Sequence, residues 1–190
     1  MLDFEIVFGG LRLFVCLSSA FVLEFVSARK NLNLLLILSD DQGYGDLSFH
    51  GNPHLKTPAM DSIGEQGDRL ERFYVSPVST PTRASLLTGR YHLRAEVFDV
   101  SNRQEVMSPE DTSIAELFQK NGYKTGCFGK WHSGALYPET PNGQGSEEFS
   151  GFLGGVKRNY FDPELNRNGE IRKYEGYITE LITDAALDWI

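Results

Sequence analysis

Three short polar stretches carry residues whose types and spacing could do chemistry. The first is Ser79-Thr80-Pro81-Thr82-Arg83-Ala84-Ser85-Leu86-Leu87-Thr88-Gly89-Arg90. It reads as a short helix with a hydroxyl at its mouth. Pro81 and Thr82 suit a helix start, where a missing N–H does no harm. Ser79 stands just before them, facing the free N–H groups of the first turn. Gly89 fits the left-handed position that ends a helix. A helix mouth attracts anions, and Arg83, four residues from Ser79, adds a positive charge near the same face. These residues make either an anion site with a hydroxyl inside it or an ordinary capped surface helix. The second stretch is Ser39-Asp40-Asp41-Gln42-Gly43-Tyr44-Gly45-Asp46. Adjacent carboxylates repel, and a cation would relieve that. Their hard oxygens select calcium or magnesium; the alternative is a solvated acidic turn. The third is Gly129-Lys130-Trp131-His132, with a charged and a titratable side chain two residues apart. In an extended segment Lys130 and His132 would point the same way, though such a pair is usually surface decoration.

Each stretch is expected to follow a strand. Leu32 to Leu38 is an apolar run of a length that suits a strand buried on both faces, and it feeds Asp40-Asp41. Arg72-Phe73-Tyr74-Val75 reads as a strand leading to the Ser79 loop, and Tyr123 to Phe128 as a strand leading to Lys130. Carboxyl ends of parallel strands share one rim, where open α/β sheets bind ligands. Helices are predicted from Pro58 to about Gly64–Gly67, from Asp111 to Phe118 with a Ser113/Glu116 capping box and an Asn121-Gly122 stop, and from Tyr177 to Ile190. Residues 91–110 show no clear periodicity. The Gly-, Pro- and Asn-rich stretch from Gly134 to Asn168 reads as a long, ordered surface excursion.

With 190 residues, 41% hydrophobic and 23% charged, the chain has the composition of one soluble globular domain. A formal charge of −8 argues against nucleic acid as a partner, so an anionic substrate would have to meet local positive groups. Of the two cysteines, Cys16 lies in a segment expected to be removed, and Cys127 lies in an apolar run that suits a packed core residue. Arg12, the apolar run Leu13 to Leu23 and the small residues Val26-Ser27-Ala28 have the layout of a secretory signal peptide, too short for a stable membrane span. The expected organisation is a signal peptide at 1–28 and an incomplete domain at 29–190, in an exported protein.

Ser79-x-Pro81-x-Arg83 followed by Leu87-Thr88-Gly89-Arg90 resembles the signature of the formylglycine-dependent sulfatases. Asp40-Asp41-x-Gly43-x-Gly45-Asp46 is similar to their metal motif, and Gly129-Lys130-Trp131-His132-x-Gly134 to their Gly-Lys-Trp-His segment. Tyr160-Phe161-Asp162-Pro163, Asn168-Gly169 and Gly176-Tyr177 extend the resemblance over roughly residues 32–190. It implies an α/β fold of the alkaline-phosphatase-like kind, with a mainly parallel sheet flanked by helices, and hydrolysis of sulfate esters. It implies that Ser79 is oxidised to formylglycine by a serine-type maturase, as in bacterial members, and that the hydrate attacks sulfur. By the same pattern Asp40, Asp41 and an oxygen at Ser79 hold calcium, with magnesium less favoured. Arg83 stabilises the modified residue, Lys130 contacts the sulfate and His132 binds a hydroxyl of the hydrate. The implied substrate is a sulfated small molecule or polysaccharide, and the implied location the periplasm or the exterior of a bacterium. A phosphodiesterase or phosphonate hydrolase of the same superfamily, and a non-catalytic remnant, are the alternatives. The chain departs from the family in carrying serine at 79 where most members have cysteine, and in reading Gly145-Ser146-Glu147 where Gly-Phe-Asp is frequent. Residues 133–190 contain no Asp-Asn or Asp-His pair to complete the calcium shell. The chain is therefore expected to be the N-terminal part of a sulfatase, with little activity alone.

Overall fold

In a computed structural model, which describes residues 32–190, the chain divides into two units, Met1–Val75 and Ser76–Ile190. The expected leader at 1–28 lies outside the described residues. Among the described residues no helix is long and apolar enough to cross a membrane.

In the first unit the expected strand at 32–38 does not form. The run is irregular, and its side chains up to Ile37 are exposed, Leu35 to 66% and Ile37 to 64%. The 72–75 stretch is likewise no strand. Apolar runs supply the faces of a strand, but a strand exists only where a neighbour accepts its backbone hydrogen bonds. Neither run is part of a ladder among the described residues. Two 3-10 turns, Tyr44–Asp46 and Ser48–His50, lead into helix α1, Pro58–Gln66, which begins at the proline as expected. A polar cluster ties turn to helix. Asp61 accepts from the Ser48 hydroxyl, from Thr57 Oγ1 at 2.7 Å and from the Phe49 N–H at 3.0 Å. These bonds, that of Ser48 foremost, hold its carboxyl below the usual range against a smaller opposing effect of burial.

The second unit holds helices α2 (Ser79–Thr88), α3 (Ile114–Lys120) and α4 (Ile178–Trp189), and strands β1 (Gly126–Lys130), β2 (Glu148–Phe152), β3 (Glu164–Arg167) and β4 (Glu170–Lys173). The strands form one sheet in the order β1-β2-β3-β4. β1 and β2 are parallel, from Gly126 opposite Glu148 to Lys130 opposite Phe152; the other two pairings are antiparallel, so the sheet is mixed. Gly151 is required here, because a Cβ on it would overlap the Gly129 backbone of the neighbouring strand. The predicted 123–128 strand has shifted toward its carboxyl end. Helix α3 keeps its capping box, with Ser113 Oγ accepting from the Glu116 N–H at 3.0 Å and Glu116 Oε2 accepting from the Ser113 N–H at 2.8 Å. Helix α4 lies on β1, with Trp189 and Phe128 ring centroids 5.8 Å apart.

The expected surface excursion at 134–168 is instead the middle of the unit. It supplies β2 and β3 and the buried Phe149, Leu165, Gln144 and Ser150. Its loops are glycine-rich because the backbone packs closely there. Gly145, at φ 94°, leaves no room for a Cβ against the Glu116 backbone. The Gly145-Ser146-Glu147 departure is accommodated, with Thr125 Oγ1 donating to the Gly145 carbonyl at 2.6 Å and Ser146 buried. The core gathers Ala84 of α2, Val97, Met107, Trp131 and Phe149, with Leu87, Cys127 and Leu153 against it. Burial pushes the Cys127 thiol up to about 12, against the opposing Arg83 charge, and the residue packs, partly buried, against the core as expected.

Candidate active site

The candidate residues of the second unit meet above this core. Helix α2 starts at Ser79, with Val78 as its N-cap, so Ser79 occupies the first turn and not the cap predicted for it. A serine cap at 79 would look to the N–H groups of Pro81 and Thr82, and Pro81 has none. The hydroxyl is free to do something else. Arg83, one turn along, donates from Nε to Ser79 Oγ at 3.0 Å. The same guanidinium donates from Nη1 to the Lys130 carbonyl at 2.9 Å, which ties α2 to the end of β1. Gly89, at φ 65°, ends the helix as expected.

His132 faces the same hydroxyl, with Nδ1 3.1 Å from Ser79 Oγ. Its other nitrogen, Nε2, lies 3.2 Å from the carbonyl oxygen of Val100. A carbonyl only accepts, so Nε2 carries the proton. In the neutral ring Nδ1 is then a lone pair, and the Ser79 O–H donates to it. Ser79 Oγ thus accepts from a cation on one side and donates to an imidazole on the other. Strand alternation does not place this ring. His132 has φ 57°, a left-handed conformation rare outside glycine, so Lys130 and His132 are not related as neighbours on one face of a strand. The residue is held there by backbone bonds, its N–H donating to the Leu153 carbonyl at 3.0 Å and that of Trp131 to Phe152 at 3.0 Å. Such strain concentrates at functional positions.

Burial lowers the His132 pKa most. The Lys130 and Arg83 charges lower it further, while the Val100 hydrogen bond and the Glu105 charge oppose them. The ring is therefore neutral at pH 7. Glu105, whose Oε2 is buried without a hydrogen-bond partner, is a charged neighbour that no sequence pattern singled out. Thr80, Val100 and Gly155 were not singled out either: Val100 acts through a backbone carbonyl, Gly155 through the space it leaves, and Thr80 was only quoted within the Ser79–Arg90 stretch. Residues 91–110, without periodicity, hold the loop that the ring leans on.

Asp40 and Asp41 lie in the first unit, both exposed, and Asp41 has a left-handed φ of 55°. Their donor type suits a hard cation, but calcium takes six to eight oxygens. Among the described residues no group of three His, Cys, Asp or Glu side chains could hold a metal ion. The residues present do not by themselves build a calcium shell.

The Sulfatase family model matches residues 32–190. The chain is 42% identical to arylsulfatase D of Homo sapiens over 112 residues, which are 54% of this chain and 19% of that protein. Among solved structures it is similar to Ps i-CgsB, with a TM-score of 0.75 and 32% identity over 80% of this chain and 40% of the other. It is also similar to BT4656 in complex with its substrate D-glucosamine-2-N,6-O-disulfate, with a TM-score of 0.64 and 29% identity over 76% and 28%. The fold is thus alkaline-phosphatase-like α/β, and the chain spans about a fifth of the length of the curated relative.

Proposed function

The chain belongs to the sulfatase family, and from that premise we propose that its Ser79 site serves the hydrolysis of sulfate esters, with a sulfated saccharide or aryl sulfate as substrate. The observation that carries the reading is the double contact on one hydroxyl: Arg83 Nε at 3.0 Å and His132 Nδ1 at 3.1 Å from Ser79 Oγ. Ser79 is the residue a serine-type maturase would oxidise to formylglycine, whose hydrate supplies a geminal diol as nucleophile. A plain serine hydroxyl is a poor nucleophile, which is why that modification is part of the proposal.

The chain's own residues supply the rest. Arg83 holds the oxygen at position 79 and stabilises negative charge on it. His132 is neutral at pH 7, so its Nδ1 can take the proton of that hydroxyl, with Nε2–H anchored on Val100. The positive charges of Arg83 and Lys130 suit an anionic group at the mouth of α2. Calcium, with magnesium less favoured, is proposed at Asp40 and Asp41, two carboxylates that fill only part of its six to eight oxygen positions. No step above is routed through it. Export through the 1–28 leader, to the periplasm or beyond, completes the proposal, with residues 29–190 proposed to belong to the catalytic domain.

The test pairs two measurements on the chain co-expressed with a serine-type maturase. Mass spectrometry of the Ser79 peptide reads the loss of H2 that marks formylglycine. Hydrolysis of a chromogenic aryl sulfate, with calcium, is compared with that of a phosphate ester of the same leaving group. The expected result is modification, weak hydrolysis that prefers sulfate, and loss of both in Ser79→Ala. Preference for phosphate would replace the reading with the phosphodiesterase one, and an unmodified Ser79 would leave a non-catalytic member of the family.

A further inference from the structure

His132 lies beyond the carboxyl end of β1, and the far edge of its ring is placed by residues outside that strand. Val100, whose carbonyl accepts from Nε2–H, sits in a loop that closes on itself through Phe98 N–H to Gln104 O at 3.0 Å and Gln104 N–H to Ser101 O at 3.1 Å. One side chain ties that loop to helix α2. Thr80 is fully buried, and its Oγ1 donates to the Asp99 carbonyl at 2.5 Å, one residue before Val100. On the same edge of the ring, Gly155 leaves just enough room. A Cβ there would overlap Cε1 and Nε2 of the imidazole and lie 2.9 Å from Nδ1.

We infer that Thr80 and Gly155 are positioning residues for His132: Thr80 holds the Asp99–Val100 loop so that the Val100 carbonyl keeps the proton on Nε2, and Gly155 leaves the ring the space to reach it. Two consecutive residues on one helical turn then place both ends of the proton path. Ser79 presents the hydroxyl directly, and Thr80 sets the far side of the ring that receives its proton. Because both ends are referred to the same turn of α2, motion of the surface loop does not change the Oγ–Nδ1 separation independently. A buried hydroxyl with a single carbonyl partner is otherwise costly to place, since its removal leaves that carbonyl short of a donor. Supports of this kind fix the tautomer and orientation of a histidine.

The inference rests on the roles proposed for Ser79 and His132, but its test reads the ring and not turnover. The full chain is labelled with nitrogen-15, and long-range proton–nitrogen correlations show which imidazole nitrogen carries the proton above the ring's titration. His132→Gln identifies the signal among the four histidines. In the unmutated chain Nε2 is protonated and Nδ1 bare. Thr80→Ser, which keeps the hydroxyl, preserves that pattern. Thr80→Val, which keeps the shape and removes the donor, shifts both nitrogens toward averaged values, and Gly155→Ala does the same by displacing the ring. An unchanged pattern in Thr80→Val overturns the inference. So does equal disturbance by Thr80→Ser, which would make the methyl and not the hydroxyl the operative group. Failure of Thr80→Val to fold would assign Thr80 to the fold at large, also against it. A bare Nε2 in the unmutated chain would remove the proposed role of His132 as well, whereas absent sulfatase activity with the expected tautomer would count against that function alone.

Discussion

Arg83 is the point at which the site and the fold depend on the same group. Its guanidinium bridges Ser79 Oγ at 3.0 Å and the Lys130 carbonyl at 2.9 Å, so Arg83→Lys is the informative perturbation. The ammonium keeps the charge but is a single point on a flexible stem and cannot span both partners as the planar fork does. One charge-assisted bond is lost. A hydrogen bond to a charged group contributes about 1.5–3 kcal/mol. For a chain of this size each kcal/mol moves the melting temperature by roughly 2–4 °C, so the expected drop is roughly 3–12 °C. Arg83→Met removes both bonds and the charge, and costs more, though less than twice as much because the two bonds share one group. Urea unfolding followed by circular dichroism measures both variants, with the midpoint and slope fitted together. Arg83→Lys within about 0.5 kcal/mol of the unmutated chain, the range of an ordinary surface substitution, would refute the bridge between α2 and β1.

The lowered pKa of His132 has a sign that can be checked. The unfolded chain binds more protons at this residue than the folded one, so stability is full above the ordinary value of about 6.5 and falls as pH drops toward the folded pKa. His132→Gln is expected to flatten this slope in urea midpoints measured across that range; an unchanged slope would contradict it. Phe149, 1% exposed in the core, is expected to cost about 3–5 kcal/mol as Phe149→Ala, while Ile171→Ala on exposed β4 stays within about 0.5 kcal/mol, both by the same unfolding assay. Cys127, with its thiol near 12, is expected to resist iodoacetamide at mildly alkaline pH in the folded chain and to react once urea exposes it. Alkylation at equal rates in both states would show that it is not packed as described.

The helices at 58, 79, 114 and 178 were legible because their signals are local: a proline or a capping pair at one end, a left-handed glycine at another, an apolar stripe between. The chemistry-bearing residues Ser79, Arg83, Lys130 and His132 were legible as types in spaced motifs, and the four-residue step from Ser79 to Arg83 follows from helix geometry. Strands were less so. The runs at 32–38 and 72–75 have the composition of strands and form none. Glu148–Phe152 and Glu164–Arg167 lie in a stretch that reads as loop and form the interior of the sheet. A helix satisfies its own backbone, whereas a strand depends on a partner whose distance along the chain no local pattern records.

The same distinction runs through the site. The sequence by itself determined which functional groups the chain carries and that Ser79 and Arg83 share a helical face. Only the tertiary structure decided that the Arg83 fork closes on the Lys130 carbonyl, that His132 takes a left-handed backbone to reach Ser79, and that a backbone carbonyl at Val100 fixes its proton. A carbonyl is present at every residue and a small side chain such as Gly155 is defined by what it leaves empty, so neither has a signature until the chain has folded around it.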